Sequence, residues 1–217
     1  MARNKHPEET VRKILDVSLR LFQEKGYEAT TIQDIVDALG MSKGAIYHHF
    51  NSKEAILDRI SEQYYRDLGW YPDPEGVPGE TGLEKLRYIF RVFLSDSHKA
   101  EIDGMMLSLL RNPKIVTMSL ESVFREAAPY MRRLVQQAID DGSAAPRFPG
   151  ELSEAFMLLS NVWMWSELYR GDREGFRRKL LFSKEMLEYF GLPILTGELV
   201  EVAMDYYDRL FAGGLAG

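Results

Sequence analysis

Cysteine is absent from all 217 residues. Its absence excludes disulfide staples, thiolate metal sites, cysteine nucleophiles and thiol redox sensing, and a cytoplasmic setting fits such a chain. Long hydrophobic runs are missing too. The densest apolar stretch, Ala155 to Trp165, is 11 residues long and is interrupted by Ser160 and Asn161, whereas a membrane-spanning helix needs ~20. The first ten residues, MARNKHPEET, lack the apolar centre of a secretory signal. A soluble protein without a membrane partner is expected. No alternating apolar and polar run marks a strand, and no segment repeats.

Signatures of catalysis are missing as well. There is no HExxH, nucleophile elbow or phosphate-binding Walker loop. Asp96, His98, Glu101 and Asp103 lie close in sequence and mimic a metal cluster, but a helical di-iron site needs Glu-x-x-His. The residues three before the four histidines are Arg3, Ala45, Ile46 and Ser95. No enzyme, metal or cofactor is expected. An overall basic excess is also lacking, since the net charge is −6. Residues 1–60 nevertheless hold nine basic and nine acidic side chains, against 18 and 24 in the remainder. The surplus acid therefore falls outside the amino-terminal quarter. A nucleic-acid contact there would draw its specificity from base contacts and geometry more than from bulk charge.

What is present is a 45% hydrophobic composition, ample for a core, and one dense segment, TTIQDIVDALGMSKGAIYHHFNSK at 30–53. Thr30 is placed to cap a helix, with Gln33 three residues on to complete a capping box. Ile32, Ile35, Val36 and Leu39 follow at helical spacing. Gly40 ends that helix and Ser42 caps the next, whose inner stripe is Ile46 and Phe50. An apolar helix, a glycine turn and a short capped helix make a helix-turn-helix, whose second helix lies in the DNA major groove. At ~100° per residue, Gly44, Ala45 and His48 point away from that stripe. Gly44 would let the backbone approach a duplex closely, and Ala45 could meet a thymine methyl.

The pattern T-T-I-x-D-I, then L-G-M-S-K-G-A-I-Y-H-H-F, then S-K-E, resembles the DNA-binding domain of TetR-family transcriptional regulators. Ile14-Leu15 through Leu21-Phe22, with Gly26-Tyr27, match the first helix of that family, so the resemblance spans roughly residues 8–68. It implies phosphate or base contacts for Thr31, Gln33, Ser42, Lys43, Tyr47, His49 and Lys53. Plainer readings stand beside these: Tyr47 as a core aromatic, His48 and His49 as idle surface groups, Lys43 and Lys53 as solvated charges, Gln33 as a cap.

The rest of the chain reads as helices. The first runs from about Glu8 to Lys25, preceded by Arg3 and Lys5 on an arm that is either a phosphate contact or a solvated tail. A fourth starts at Asn51 or Ser52, with Glu54 placed to close a capping box from Asn51. Residues 69–82, with three prolines and four glycines, read as a linker, and Pro129 should kink or split its helix. The expected architecture is all-α with nine or ten helices: a three-helix helix-turn-helix domain at 8–68, the linker, and a helical ligand-binding and dimerisation domain at 83–212.

Because one helix-turn-helix reads few base pairs, a homodimer on a palindromic double-stranded operator is expected. The resemblance suggests pairing of the last long helices, 151–170 and 174–211, with Phe156, Leu159, Val162, Trp163, Leu180, Leu187, Phe190, Val202 and Tyr206 as candidate interface residues. Eight of ten methionines follow residue 100, and methionine suits adaptable apolar sites. Candidate contacts for a small apolar or aromatic effector are Phe90, Phe93, His98, Met106, Phe124, Met131, Met157, Asn161 and Trp165, with ordinary core packing as the alternative for each. The reading is a ligand-responsive transcriptional repressor. Its rivals are a helical adaptor that no longer binds DNA and an all-α enzyme.

Overall fold

A computed structural model describes residues 7–67, 73–108, 113–164 and 172–212. The chain divides into two compact units, Met1–Leu68 and Gly69–Gly217. The first holds α1 (Pro7–Lys25), α2 (Ile32–Leu39), α3 (Lys43–His49) and α4 (Lys53–Asp67). The second holds α5 (Gly82–Ser95), α6 (Ser97–Ser108), α7 (Pro113–Ser122), α8 (Ala128–Asp140), α9 (Pro149–Leu158), α10 (Arg173–Tyr189) and α11 (Gly197–Ala212). A π-helical turn at Val123–Ala127 joins α7 to α8, and another at Leu159–Trp163 extends α9. With those turns counted as parts of continuous helices, the described residues form ten helices and no strand. The all-α expectation holds.

In the first unit, α1 packs on α2 and α4. Ile14, Leu15, Ser18 and Phe22 of α1 are buried with Ile35, Val36, Ile46, Phe50, Ile56, Leu57 and Ile60. These recur three or four residues apart on each helix, so each presents one apolar stripe to a common centre. Two caps differ from the sequence reading. Thr31, not Thr30, caps α2: its Oγ1 accepts from the Asp34 N–H, and the Asp34 carboxylate accepts from the Thr31 N–H. Thr30 turns inward and is buried, its hydroxyl donating to the carbonyls of Gly26 and Leu21. Likewise Ser52, not Asn51, serves α4, its Oγ accepting from the Ala55 N–H at 3.2 Å.

In the second unit α5, α8 and α9 form one layer, and α11 packs across α5, α6 and α10. Leu86, Ile89, Met131, Leu134, Val135, Leu152, Phe156, Leu187 and Leu199 fill the interior. Pro129 does not split its helix. The proline has no N–H and its ring would crowd the carbonyl four residues back; the preceding turn widens instead, with the Ala128 N–H bonding to the Val123 carbonyl. In the second π turn Ser160 and Asn161 return side-chain bonds to the carbonyls of Phe156 and Met157, and the Met164 N–H reaches Leu159.

α5 and α8 meet backbone to backbone at Gly82. A Cβ placed on Gly82 would lie 2.1 Å from the Ala138 nitrogen, so only glycine lets α5 start against α8. Gly82→Ala should destabilise the protein by about 1–3 kcal/mol, the usual cost of overpacking. At an open helical site the same change would gain up to ~1 kcal/mol. Thermal denaturation decides the sign, and an unchanged or raised Tm would show that the helices can separate at no cost.

Candidate nucleic-acid interface

The turn between α2 and α3 is three residues long. Gly40 takes the left-handed conformation (φ 63°) and donates to the Asp37 carbonyl. Ser42 then caps α3, its Oγ accepting from the Ala45 N–H at 3.2 Å. The chain at Phe50 is extended, so α3 ends there after seven residues. Ile46 is fully buried and Phe50 nearly so. They orient the helix; everything else on it is at least partly accessible.

Ser42, Lys43, Gly44, Tyr47 and His48 are exposed, while Ala45 and His49 are half-buried. Tyr47 keeps 46% of its surface accessible, which removes the core-aromatic alternative. The Lys43 ammonium lies 5.9 Å from the Tyr47 ring, one helical turn away, and the imidazoles of His48 and His49 meet edge-on at 5.2 Å. The sequence of α3, KGAIYHH, contains no acid. The face therefore offers hydroxyl, ammonium, phenol and imidazole groups to an anion and no carboxylate against it. Gly44 is informative for a different reason. Nothing in the chain lies within 4 Å of where its Cβ would be, and its backbone is ordinary helix. The fold does not require glycine at that position.

On α2, Thr31 and Gln33 are exposed, but both already have partners. The Thr31 hydroxyl donates to Asp34 at 2.6 Å, and the Gln33 amide to Asp37 at 2.8 Å. Lys25, at the end of α1, donates to the same Asp34 at 2.6 Å. The hydrogen bonds from Lys25 and then Thr31 hold the Asp34 carboxyl far below its ordinary value of 3.8. The T-x-x-D spacing of Thr31 and Asp34 was visible in the sequence. Its tie to Lys25, nine residues back, was not.

Lys53 departs from the sequence expectation. Its ammonium turns inward to the carbonyls of Tyr27 (2.5 Å), Thr30 (2.8 Å) and Glu28 (3.4 Å) and lies 4.1 Å from the Tyr27 ring. Those carbonyls line the turn between α1 and α2, where no helical N–H serves them. Burial pushes the Lys53 pKa down, partly offset by Glu28 and Glu54. All three N–H bonds are used within the chain, so a phosphate contact would have to displace one of them.

The expected effector residues are dispersed. Phe90 is half-buried against Phe156, with ring centroids 5.0 Å apart, and Phe93 lies under the Lys99 ammonium at 5.6 Å. Met131 is core and Met157 half-buried. His98 and Asn161 are exposed; His98 lies 3.8 Å from Glu101, and the Asn161 amide is committed to its own helix. Phe124 is also exposed, because Val123 beside it takes the inward position. The side chain of Met106 and the whole of Trp165 lie outside the described residues.

Two outcomes test this surface. Gly44→Ala should stabilise α3 by up to ~1 kcal/mol and Tyr47→Ala should leave the fold intact, while each weakens duplex binding by about 1 kcal/mol or more; gel shift beside thermal denaturation measures both. Because the Asp34 carboxyl is held below its unfolded value, its stabilisation is complete above about pH 4 and lost as pH falls further. The stability gap between the wild type and Asp34→Asn in urea should therefore be open at pH 7 and close in acid.

Known proteins share this arrangement. Residues 14–60 match the family model described as bacterial regulatory proteins, tetR family. The HTH-type transcriptional repressor KstR2 of Rhodococcus jostii strain RHA1 is 32% identical over 164 residues, covering 73% of this chain and 78% of the relative. Among solved structures, GusR of Salmonella enterica superposes with a TM-score of 0.61 at 19% identity, over 97% of this chain and 100% of its own. A putative transcriptional regulator from Saccharomonospora viridis in complex with choline does so with a TM-score of 0.57 at 19% identity, over 85% and 98%. The motif residues, the helix-turn-helix that carries them and a relative matched over most of its length agree: this chain belongs to the TetR family of bacterial regulatory proteins and is a DNA-binding transcriptional regulator.

Proposed function

We propose that the protein is a repressor that binds a palindromic operator as a homodimer and responds to a small apolar or aromatic molecule. In this reading residues 8–68 read DNA, 69–82 link, and 83–212 sense and dimerise. The observation that carries it is the acid-free outer face of α3, from Ser42 through His49, held outward by Ile46 and Phe50. Repression is favoured by the relative KstR2, itself a repressor. A choline complex of the same fold supports a small-molecule effector. Among the described residues no helix is long and apolar enough to cross a membrane, in keeping with work in the cytoplasm.

Support for a dimer comes from exposed aromatic surface near the end of the chain. On α10, Phe182 is 55% and Tyr189 80% exposed, with Leu181 beside Phe182. The Trp163 ring meets Phe182 edge-on at 5.9 Å, and Phe148 and Tyr189 flank Phe190. Large apolar groups clustered in the open mark association surfaces. Within the candidate interface set, Phe156, Leu180, Leu187 and Tyr206 are buried inside the chain and serve its core. Leu159, Val162, Trp163, Phe190 and Val202 are half-buried and retain surface for a second copy.

The mechanism is a population shift. The effector binds the second unit, α4 moves, and the spacing of the two α3 helices changes; the coupling should be about 1–3 kcal/mol and reciprocal. Selection from random duplex DNA followed by sequencing should recover an inverted repeat. Half-sites should lie about one helical turn, roughly 34–36 Å, apart. Recovery of no preferred duplex would end the reading. Phe182→Glu should convert the dimer to monomer in sedimentation while thermal unfolding stays cooperative.

A further inference from the structure

α10 has two faces. Phe176, Leu180, Ser183 and Leu187 are buried within the second unit. Eight residues of the helix are exposed. Two of them, Arg173 and Glu188, are held by Asp208 and Lys184. The other six are Glu174, Arg178, Leu181, Phe182, Glu185 and Tyr189. At ~100° per residue they fall within an arc of about 100°, so they share one side of the helix. Their spacing is four, three, one, three and four residues, the same from either end.

The charges on this side are arranged in the same way. Most cations of α10 are engaged within the chain: Arg173 with Asp208, Arg177 with Glu201 at 3.4 Å, Lys179 with the Trp163 carbonyl at 2.9 Å, and Lys184 with Glu188. Arg178 has no ion-pair partner among the described residues, and neither has Glu185. The two stand seven positions apart, which is about 10 Å along a helix at 1.5 Å per residue, too far to pair with each other.

A row that reads the same from both ends can lie antiparallel on its own copy, about a two-fold axis midway between Leu181 and Phe182. Leu181 and Phe182 of both copies then form the central layer. Arg178 faces Glu185 of the second copy, and the reverse contact repeats the pair. Further out, the Tyr189 phenol can donate to Glu174 of the second copy. Parallel pairing would instead set Arg178 on Arg178 and Glu185 on Glu185. We propose that this face of α10 is a self-recognition surface whose Arg178 and Glu185 fix the register of the dimer and select a second copy of the same chain as its partner. The proposal rests on the homodimer reading above and adds to it the register and the basis of partner choice.

Sedimentation velocity of the full-length protein tests it, with circular dichroism to check helix content. Arg178→Glu and Glu185→Arg each put two like-charged contacts into the dimer and should raise its dissociation constant by about tenfold or more. The double variant Arg178→Glu/Glu185→Arg restores both pairs and should return to within about threefold of the wild type. Mixed with tagged wild-type chain, the double variant should form mixed dimers well below their statistical share in native mass spectrometry, because every cross-pair is then like-charged. Arg178→Gln, which removes the attraction without adding a like charge, should weaken the dimer by a smaller factor and serves if a reversal folds poorly. A dimer that both single reversals leave intact, or a double variant no tighter than the singles, overturns this register and leaves the homodimer reading standing. A wild type that sediments as a monomer overturns the homodimer reading and the register with it, and gives the face to a different protein.

Discussion

A helix of seven residues has almost no stability of its own, because nucleation uses most of the hydrogen bonds it can form. α3 exists because Ile46 and Phe50 are buried at one side, Ser42 satisfies its first turn and Gly40 reverses the chain just before it. The outward-facing chemistry of α3 depends on that anchorage. With Ile46 at the centre of a four-helix cluster, the rotation of α3 is set, and with it the outward direction of Lys43, Gly44, Tyr47 and His48. The outer face of α3 is what remains after the core has claimed its share.

Charge in the first unit is used mainly inside it. Lys25 neutralises Asp34 at the start of α2, and Lys53 ties down carbonyls of the α1–α2 turn. An equal count of acids and bases over residues 1–60 thus gives a poor account of the surface a duplex would meet. Several carboxylates are paired or engaged in caps, whereas the one cation on α3 stands over a tyrosine ring with no acid on its own helix. Local arrangement, more than net charge, makes the surface fit for phosphate.

The second unit follows a different rule. Its helices are held by a close backbone crossing at Gly82 and by ion pairs that fasten α11 on two sides, Arg91 to Glu198 and Arg173 to Asp208. Two helices contain widened turns, one immediately before Pro129 and one at Leu159–Trp163. The aromatic residues left exposed on α10 and beside it are not needed for that core, which suits them to a second copy of the chain.

The sequence alone determined the helical content, the helix-turn-helix at 30–53 and the division of Ile46 and Phe50 from the outward residues of α3. Those features rest on local periodicity, caps and a glycine turn, all readable within a few positions. Tertiary structure decided what depends on contacts far apart in the chain. It chose Thr31 over Thr30 as the cap because Thr30 was drawn to the carbonyls of α1. It turned Lys53 inward, to carbonyls 23 to 26 residues back at the turn between α1 and α2. It also buried Phe156, Leu180, Leu187 and Tyr206 while exposing Phe182 and Tyr189. Helical spacing distinguishes one face of a helix from another, but which face meets its own chain is settled only when the neighbouring helices are in place.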